Sequence, residues 1–164
     1  MMRPGRDRGL PFELPGPNDY TVDKLTLGET MHIVILGSGR LGSRLANALV
    51  QKGHKITIVD AEETKFKNLE EHENIQRVGG NIFNEETADL VFAEPADVFI
   101  AVTGSDNINL MVSQAMQKKY KIPKVLIRVF DPTLSSVYRD LGLETVCPTN
   151  FALQEMLKML EKGV

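Results

Sequence analysis

The chain has 164 residues, 42 % of them hydrophobic and 25 % charged, which fits one globular domain with a sizeable core. Its net charge of −3 gives no electrostatic footing for nucleic acid, and no apolar run reaches the roughly 18 residues of a membrane span. A single cysteine, Cys147, excludes an intramolecular disulfide and fits a reducing cytoplasm.

Residues 1–30 read as a flexible N-terminal extension. Arg3, Arg6 and Arg8 stand among prolines and glycines without the apolar region of a secretory signal. Tyr20, Val22, Leu25 and Leu27 are the residues there able to add a short docking strand. The domain proper is predicted over 31–164. It opens on a buried strand, His32 to Leu36, rich in β-branched residues. That strand runs into Gly37-Ser38-Gly39-Arg40-Leu41-Gly42, a G-x-G-x-x-G. A helix follows with Leu41, Leu45, Ala48 and Leu49 on one face, and Gly53 ends it. Lys55 to Val59 forms a second strand that closes on Asp60.

Each part of this unit has a job in holding a dinucleotide-like ligand. Gly37 permits the tight turn, Gly39 lets phosphates approach the backbone, and Gly42 lets helix and strand pack closely. The helix N-terminus offers free N–H groups to an anion. Asp60, about twenty residues on, is placed to accept from both ribose hydroxyls. Ala61 beside it supplies no arginine for a 2′-phosphate, so NADP is disfavoured.

Further along, a charged helix is predicted from Glu62 to His72, with Phe66 and Leu69 inward. A third strand, Ile75 to Val78, stops at Gly79-Gly80-Asn81. A short helix from Asn84 to Phe92 precedes a fourth strand, Asp97 to Val102, apolar enough to be central. Thr103-Gly104-Ser105-Asp106 starts the longest helix, to Tyr120, with Ile108, Met111, Val112, Ala115 and Met116 as its apolar stripe. The fifth strand spans Lys124 to Val129. Asp131-Pro132 opens a helix that Gly142 ends, and Glu144 to Cys147 is a sixth strand. The final segment, 150–164, is a helix capped by Thr149 or Asn150 and carrying Phe151, Leu153, Met156, Leu157 and Leu160.

Six alternations of strand and helix predict an α/β, doubly wound, Rossmann-like parallel sheet of order 3-2-1-4-5-6. The ligand crevice is then expected at the carboxyl ends of strands one and four, where the winding reverses. No catalyst stands out. His32, His54, His72 and Cys147 lack metal-ligand spacing, and neither a G-x-S-x-G nor a C-x-x-C is present. Tyr120 and Lys124 form a Y-x-x-x-K, but Pro123 breaks the helix between them. The alternations consume the chain and leave nothing for a substrate wall, so a binding module is expected rather than an enzyme. An NAD-dependent oxidoreductase and a nucleotide-binding assembly module without a transport role are the competing readings.

The ordered set G-x-G-x-x-G, Asp60, Gly80-Asn81, Ala96-Asp97, Thr103-x-x-Asp106-x-x-Asn109 and Arg128 resembles the N-terminal nucleotide-binding domain of regulators of potassium conductance, the TrkA-type or RCK family. The likeness covers residues 31–150. It implies a cytoplasmic regulatory subunit that assembles as dimers or rings beneath a membrane potassium channel or transporter and senses NAD(H), ATP or ADP. It also implies roles for residues. Gly37, Ser38, Gly39, Arg40, Leu41 and Gly42 would form the phosphate loop, and Asp60 with Ala61 the ribose side. Gly80, Asn81, Thr103 and Gly104 would lie beside the ligand, with Asp106 and Asn109 organising that loop. Arg128 resembles the family's arginine at the phosphate or subunit face; a surface salt bridge is the alternative. Two departures stand out. Asn81 replaces the usual aspartate, and the second, C-terminal domain of many members is not among these residues, so a separate protein supplying one is a candidate partner. The final helix fits either a dimer-forming element or a cover for its own sheet.

Overall fold

The computed structural model describes residues 29–141 and 143–161. Tyr20, Val22, Leu25, Leu27 and Gly142 therefore lie outside the described residues, as do most of the N-terminal extension and the last three positions. The strands are β1 (His32–Leu36), β2 (Lys55–Asp60), β3 (Ile75–Gly79), β4 (Val98–Ala101), β5 (Lys124–Arg128) and β6 (Glu144–Val146). The helices are α1 (Arg40–Val50), α2 (Glu85–Val91), α3 (Asp106–Tyr120), α4 (Pro132–Asp140) and α5 (Pro148–Glu161). All six strands join one parallel sheet in the predicted order, β3-β2-β1-β4-β5-β6.

The sheet is buried on both faces because each strand alternates between two cores. In β1, Val34 and Leu36 enter the core beneath α3 with Phe99, Val112 and Ile127. Ile33 and Ile35 point the other way, to Ala46, Leu49 and Ile58. A central strand covered on both sides has no polar positions to spare. That is why these runs were legible as strands without alternation. His32 is the exception at the strand's start, buried with Nδ1 2.9 Å from the Pro95 carbonyl and Nε2 2.9 Å from the Thr57 hydroxyl.

Four local expectations give way. The segment after Asp60 is a 3₁₀ turn, Glu63–Asn68, not a helix to His72. Its charges leave no apolar stripe to hold a longer helix, and Leu69 turns extended to reach the core. In α1 it is Ala46, not Ala48, that is buried. In α3 the buried face is Asn109, Val112, Ser113 and Met116, while Ile108, Met111 and Ala115 are exposed. Polar Asn109 and Ser113 belong to the core face, so counting apolar residues rotated the stripe. Finally, α5 starts at Pro148, the favoured N1 residue, rather than at a Thr149 or Asn150 cap. None of its residues is buried, and Phe151, Met156, Met159 and Leu160 are 52–70 % exposed. It does not cover its own sheet. Among the described residues no helix is long and apolar enough to cross a membrane.

Helix α3 ends on Lys121 at φ 56°, the one non-glycine in the left-handed region among the described residues. Lys121→Gly is expected to raise stability by about 0.5–1 kcal/mol, the Cβ penalty less the entropy of a freer unfolded chain. A urea midpoint that does not rise, at unchanged slope, would contradict this.

Candidate functional site

A cleft of about 590 Å³ opens at the carboxyl ends of the strands, where the strand order reverses its winding between β1 and β4. Its centre is the glycine loop. Gly37 has φ 104°, a conformation costly for any side chain, and its N–H donates to the Val59 carbonyl at 2.8 Å. Gly42 touches the loop so closely that a Cβ would lie 1.8 Å from the Gly37 carbonyl oxygen. Gly39 differs, because a Cβ there would meet nothing within 4 Å. No side chain caps α1 and no acid stands in its first turn. Its N-terminal N–H groups thus sit uncapped beside a bare backbone, with Arg40 at the same wall. This is the chemistry of an anion site.

The β2–β3 end of the cleft is acidic and ordered. Asp60 is buried; its Oδ2 accepts from Ser38 N at 2.8 Å and its Oδ1 from Glu62 N at 2.9 Å. Each carboxylate oxygen has a further lone pair. On Oδ1 it meets Lys65 Nζ at a long 3.5 Å. Glu62, 2.9 Å from Lys65, raises the lysine's pKa above its ordinary value, with Asp60 adding to the effect. Ala61, Gly80 and Asn81 complete this wall.

The β4–β5 end is built on one buried amide. Asn109, fully buried at the base of α3, accepts Thr103 N at 2.9 Å and Thr103 Oγ1 at 2.6 Å on its oxygen. Its nitrogen donates to the carbonyls of Thr103 and Arg128 at 3.2 and 2.9 Å. Asp106 accepts from Phe130 N and Asp131 N, tying the loop after β5 to α3. Arg128 Nη2 donates to the Thr103 carbonyl at 2.7 Å, and its guanidinium lies 4.4 Å over the Phe130 ring. Burial pushes the Arg128 pKa down and Asp106 partly offsets that. Its partner is a carbonyl oxygen rather than a carboxylate, so the salt-bridge alternative does not describe it. The carbonyl of Phe130 in turn accepts from Thr149 Oγ1 at 3.2 Å and faces Cys147 Sγ at 3.8 Å, at the start of α5.

Most of the residues singled out from sequence line this one cleft: Gly37, Gly39, Arg40, Asp60, Ala61, Gly80, Asn81, Thr103, Gly104 and Arg128. Five others stand behind it. Ser38 is fully buried and its N–H is engaged by Asp60. Leu41 packs into the core beneath α1. Gly42 holds the helix against the loop, and Asp106 and Asn109 shape the loops. The cleft also takes in Glu62, Lys65, Ile82, Phe83, Ile108 and Phe130, which the sequence reading missed. Lys65, five residues after Asp60, was hidden inside an expected helix; Phe130, two residues after Arg128, was the more findable.

A family model for the TrkA-N domain matches residues 33–149. The chain is 36 % identical over 130 residues to the Trk system potassium uptake protein TrkA of Streptomyces coelicolor, covering 79 % of this chain and 58 % of that protein. It is 35 % identical over 116 residues to a TrkA homolog of Methanothermobacter thermautotrophicus, covering 71 % and 53 %. The chain thus spans little more than half the length of these relatives. Among solved structures, the TrkA-N domain of the Escherichia coli inner membrane protein ybaL superposes with a TM-score of 0.69 at 21 % identity, covering 81 % of this chain and 98 % of that one. The AMP-bound Kef C-terminal domain of Shewanella denitrificans gives 0.64 at 19 % identity over 79 % of this chain and 81 % of that one. The GsuK channel bound to NAD gives 0.59 at 21 % identity over 74 % and 22 %. At these identities the structures show a shared fold. The match of the family model over most of the chain shows more: this chain belongs to the TrkA-N domain family.

Proposed function

We propose that this chain is a nucleotide-binding regulatory unit of a potassium channel or transporter, responding to NAD(H) or ATP/ADP. One observation carries the reading. The bare backbone at Gly39, the uncapped N-terminus of α1 and the Asp60 carboxylate face one cleft, an anion site beside a ribose acceptor. Gly37, Gly39 and Arg40 would hold phosphates, Asp60 a ribose, and Thr103, Gly104 and Arg128 the far end. Proteins of this fold hold AMP and NAD, and relatives named for potassium uptake supply the transport context. NADP is the poorer fit, since Asp60 and Glu62 already neutralise Lys65 where a 2′-phosphate would come.

The cleft suits sensing more than catalysis. None of the three histidines lines it, nor does Cys147. The exposed apolar face of α5 supports assembly of the chain with itself, as a dimer or ring, at the cytoplasmic face of the membrane partner. Regulation then requires that the nucleotide bind two conformations unequally.

A thermal-shift panel with NAD, NADH, NADPH, ATP, ADP and AMP tests the binding reading, because a ligand of the folded state raises the melting temperature. Stabilisation by adenine nucleotides without an NADPH effect is expected; no shift with any of them would count against the site. Asp60→Ala is expected to weaken the ligand by about 1–3 kcal/mol through lost charge-assisted hydrogen bonds. Unchanged affinity by calorimetry would remove Asp60 from the site. Potassium uptake that keeps its normal nucleotide response in cells lacking the gene would overturn the transport role.

A further inference from the structure

The loop after β3 presents an aromatic ring to the cleft, and we propose that Phe83 is the base-stacking residue of this site, favouring purine over pyrimidine nucleotides. The inference rests on the nucleotide reading above and names the residue that would hold the base.

The loop is held firmly. Gly80 N donates to the Asp60 carbonyl at 3.0 Å, so the exit from β3 is fastened to the end of β2. Asn81 Oδ1 accepts Phe83 N at 3.0 Å, and Asn84 N donates to the Asn81 carbonyl at 2.9 Å, closing a compact turn. Ile82 drives into the core at 3 % exposure. Its neighbour Phe83 faces outward, 47 % exposed, and lines the same cleft as Asp60. A large aromatic held half in water on a fastened turn forgoes hydrophobic stabilisation that burial would supply. A flat apolar ligand would restore it.

Strand order says which part of a nucleotide arrives there. The sheet runs β3-β2-β1, with the glycine loop at the end of β1, Asp60 at the end of β2 and Phe83 beyond β3. Phosphates over the glycine loop and a ribose on Asp60 direct the base toward Phe83. The oxygen of Asn81 accepts the Phe83 N–H, which fixes the amide to the turn. Phe83 would add a stacking face to that end of the cleft. Stacking scales with the π surface of the base and ignores its edge pattern, so the two-ring purines gain more than the one-ring pyrimidines.

The test measures ADP and UDP affinity by calorimetry on the full chain and on Phe83→Ala and Phe83→Leu. Both variants are expected to lose about tenfold or more for ADP and under about threefold for UDP, so that the preference collapses. Leucine keeps the apolar bulk without the π face and separates stacking from simple packing. Phe83→Trp adds a tryptophan to a chain that has none, and ADP should quench its emission. Unchanged ADP affinity in both variants overturns the stacking role and leaves the nucleotide site standing. Equal losses for ADP and UDP overturn the purine preference and make Phe83 a shaper of the turn. Failure of the parent chain to bind either nucleotide removes both the site and the stack.

Discussion

Gly42→Ala is expected to destabilise the protein by about 3 kcal/mol and lower its melting temperature by about 10 °C. Alanine is the better helix former by about 1 kcal/mol, so propensity alone predicts the opposite sign. The contact decides. An added Cβ would lie 1.8 Å from the Gly37 carbonyl oxygen and 2.9 Å from its carbonyl carbon, both backbone atoms of a turn that is itself constrained. Gly37 has little room on its other side, where a Cβ would lie 3.1 Å from the Val102 and Thr103 backbone, and its φ of 104° is already constrained. Helix α1 must therefore lift from the sheet, giving up contacts of Ala46 and Leu49 with the core. Gly39→Ala is the control. Nothing lies within 4 Å of its new methyl, so the melting temperature should stay within about 2 °C while nucleotide affinity falls. A Gly42→Ala protein as stable as the parent would mean that the helix shifts at little cost and that the close approach is not structural.

Asn109→Ala should cost about 4 kcal/mol by urea unfolding. The side chain satisfies four partners at once, on residues Thr103 and Arg128. Alanine leaves the Thr103 N–H without that acceptor and the Arg128 carbonyl without that donor, in a place with no measurable exposure. Each stranded group costs about 1–3 kcal/mol, and the void adds to this. Asn109→Asp isolates the donor half of the amide. At neutral pH its second oxygen would face two carbonyls, whereas the neutral acid can donate again. Burial against those carbonyls raises the folded-state pKa above the unfolded one, so the variant should regain stability as pH falls through that folded pKa. A loss under about 1 kcal/mol for Asn109→Ala would show that water takes the amide's place.

The parts of this molecule that could be read from sequence share a cause. Strands buried on both faces are apolar throughout, so His32 to Leu36 and Val98 to Ala101 announce themselves, and the alternation with helices then dictates the sheet order. Glycines with distinct steric duties recur at fixed spacing, which is why Gly37, Gly39 and Asp60 could be placed in one cleft. What stayed hidden was set by partners that no local sequence pattern joins. The charges of Glu62, Glu63 and Lys65 look like any solvated helix face, and only the fold brings Lys65 back to Asp60. Asn109 could be tied to the loop after β4 but not to the buried face of α3, because polarity is a poor guide where one amide has four partners. Ser38 looked like a ligand contact because its amide's engagement by Asp60 bridges twenty-two positions.

Phe130 belongs to two neighbourhoods. Its ring forms part of the cleft wall, while its carbonyl holds the hydroxyl of Thr149 in the first turn of α5. Helix α5 has 14 residues and buries none of them, so it stands off the body as an arm about 21 Å long. An arm of that length is a lever. A tilt of about 5° at Thr149 carries the far end by about 2 Å, comparable to helix shifts that reset subunit interfaces. The fulcrum is one residue away from the cleft, and the longest travel falls on Met159 and Leu160, the most exposed apolar side chains of the arm.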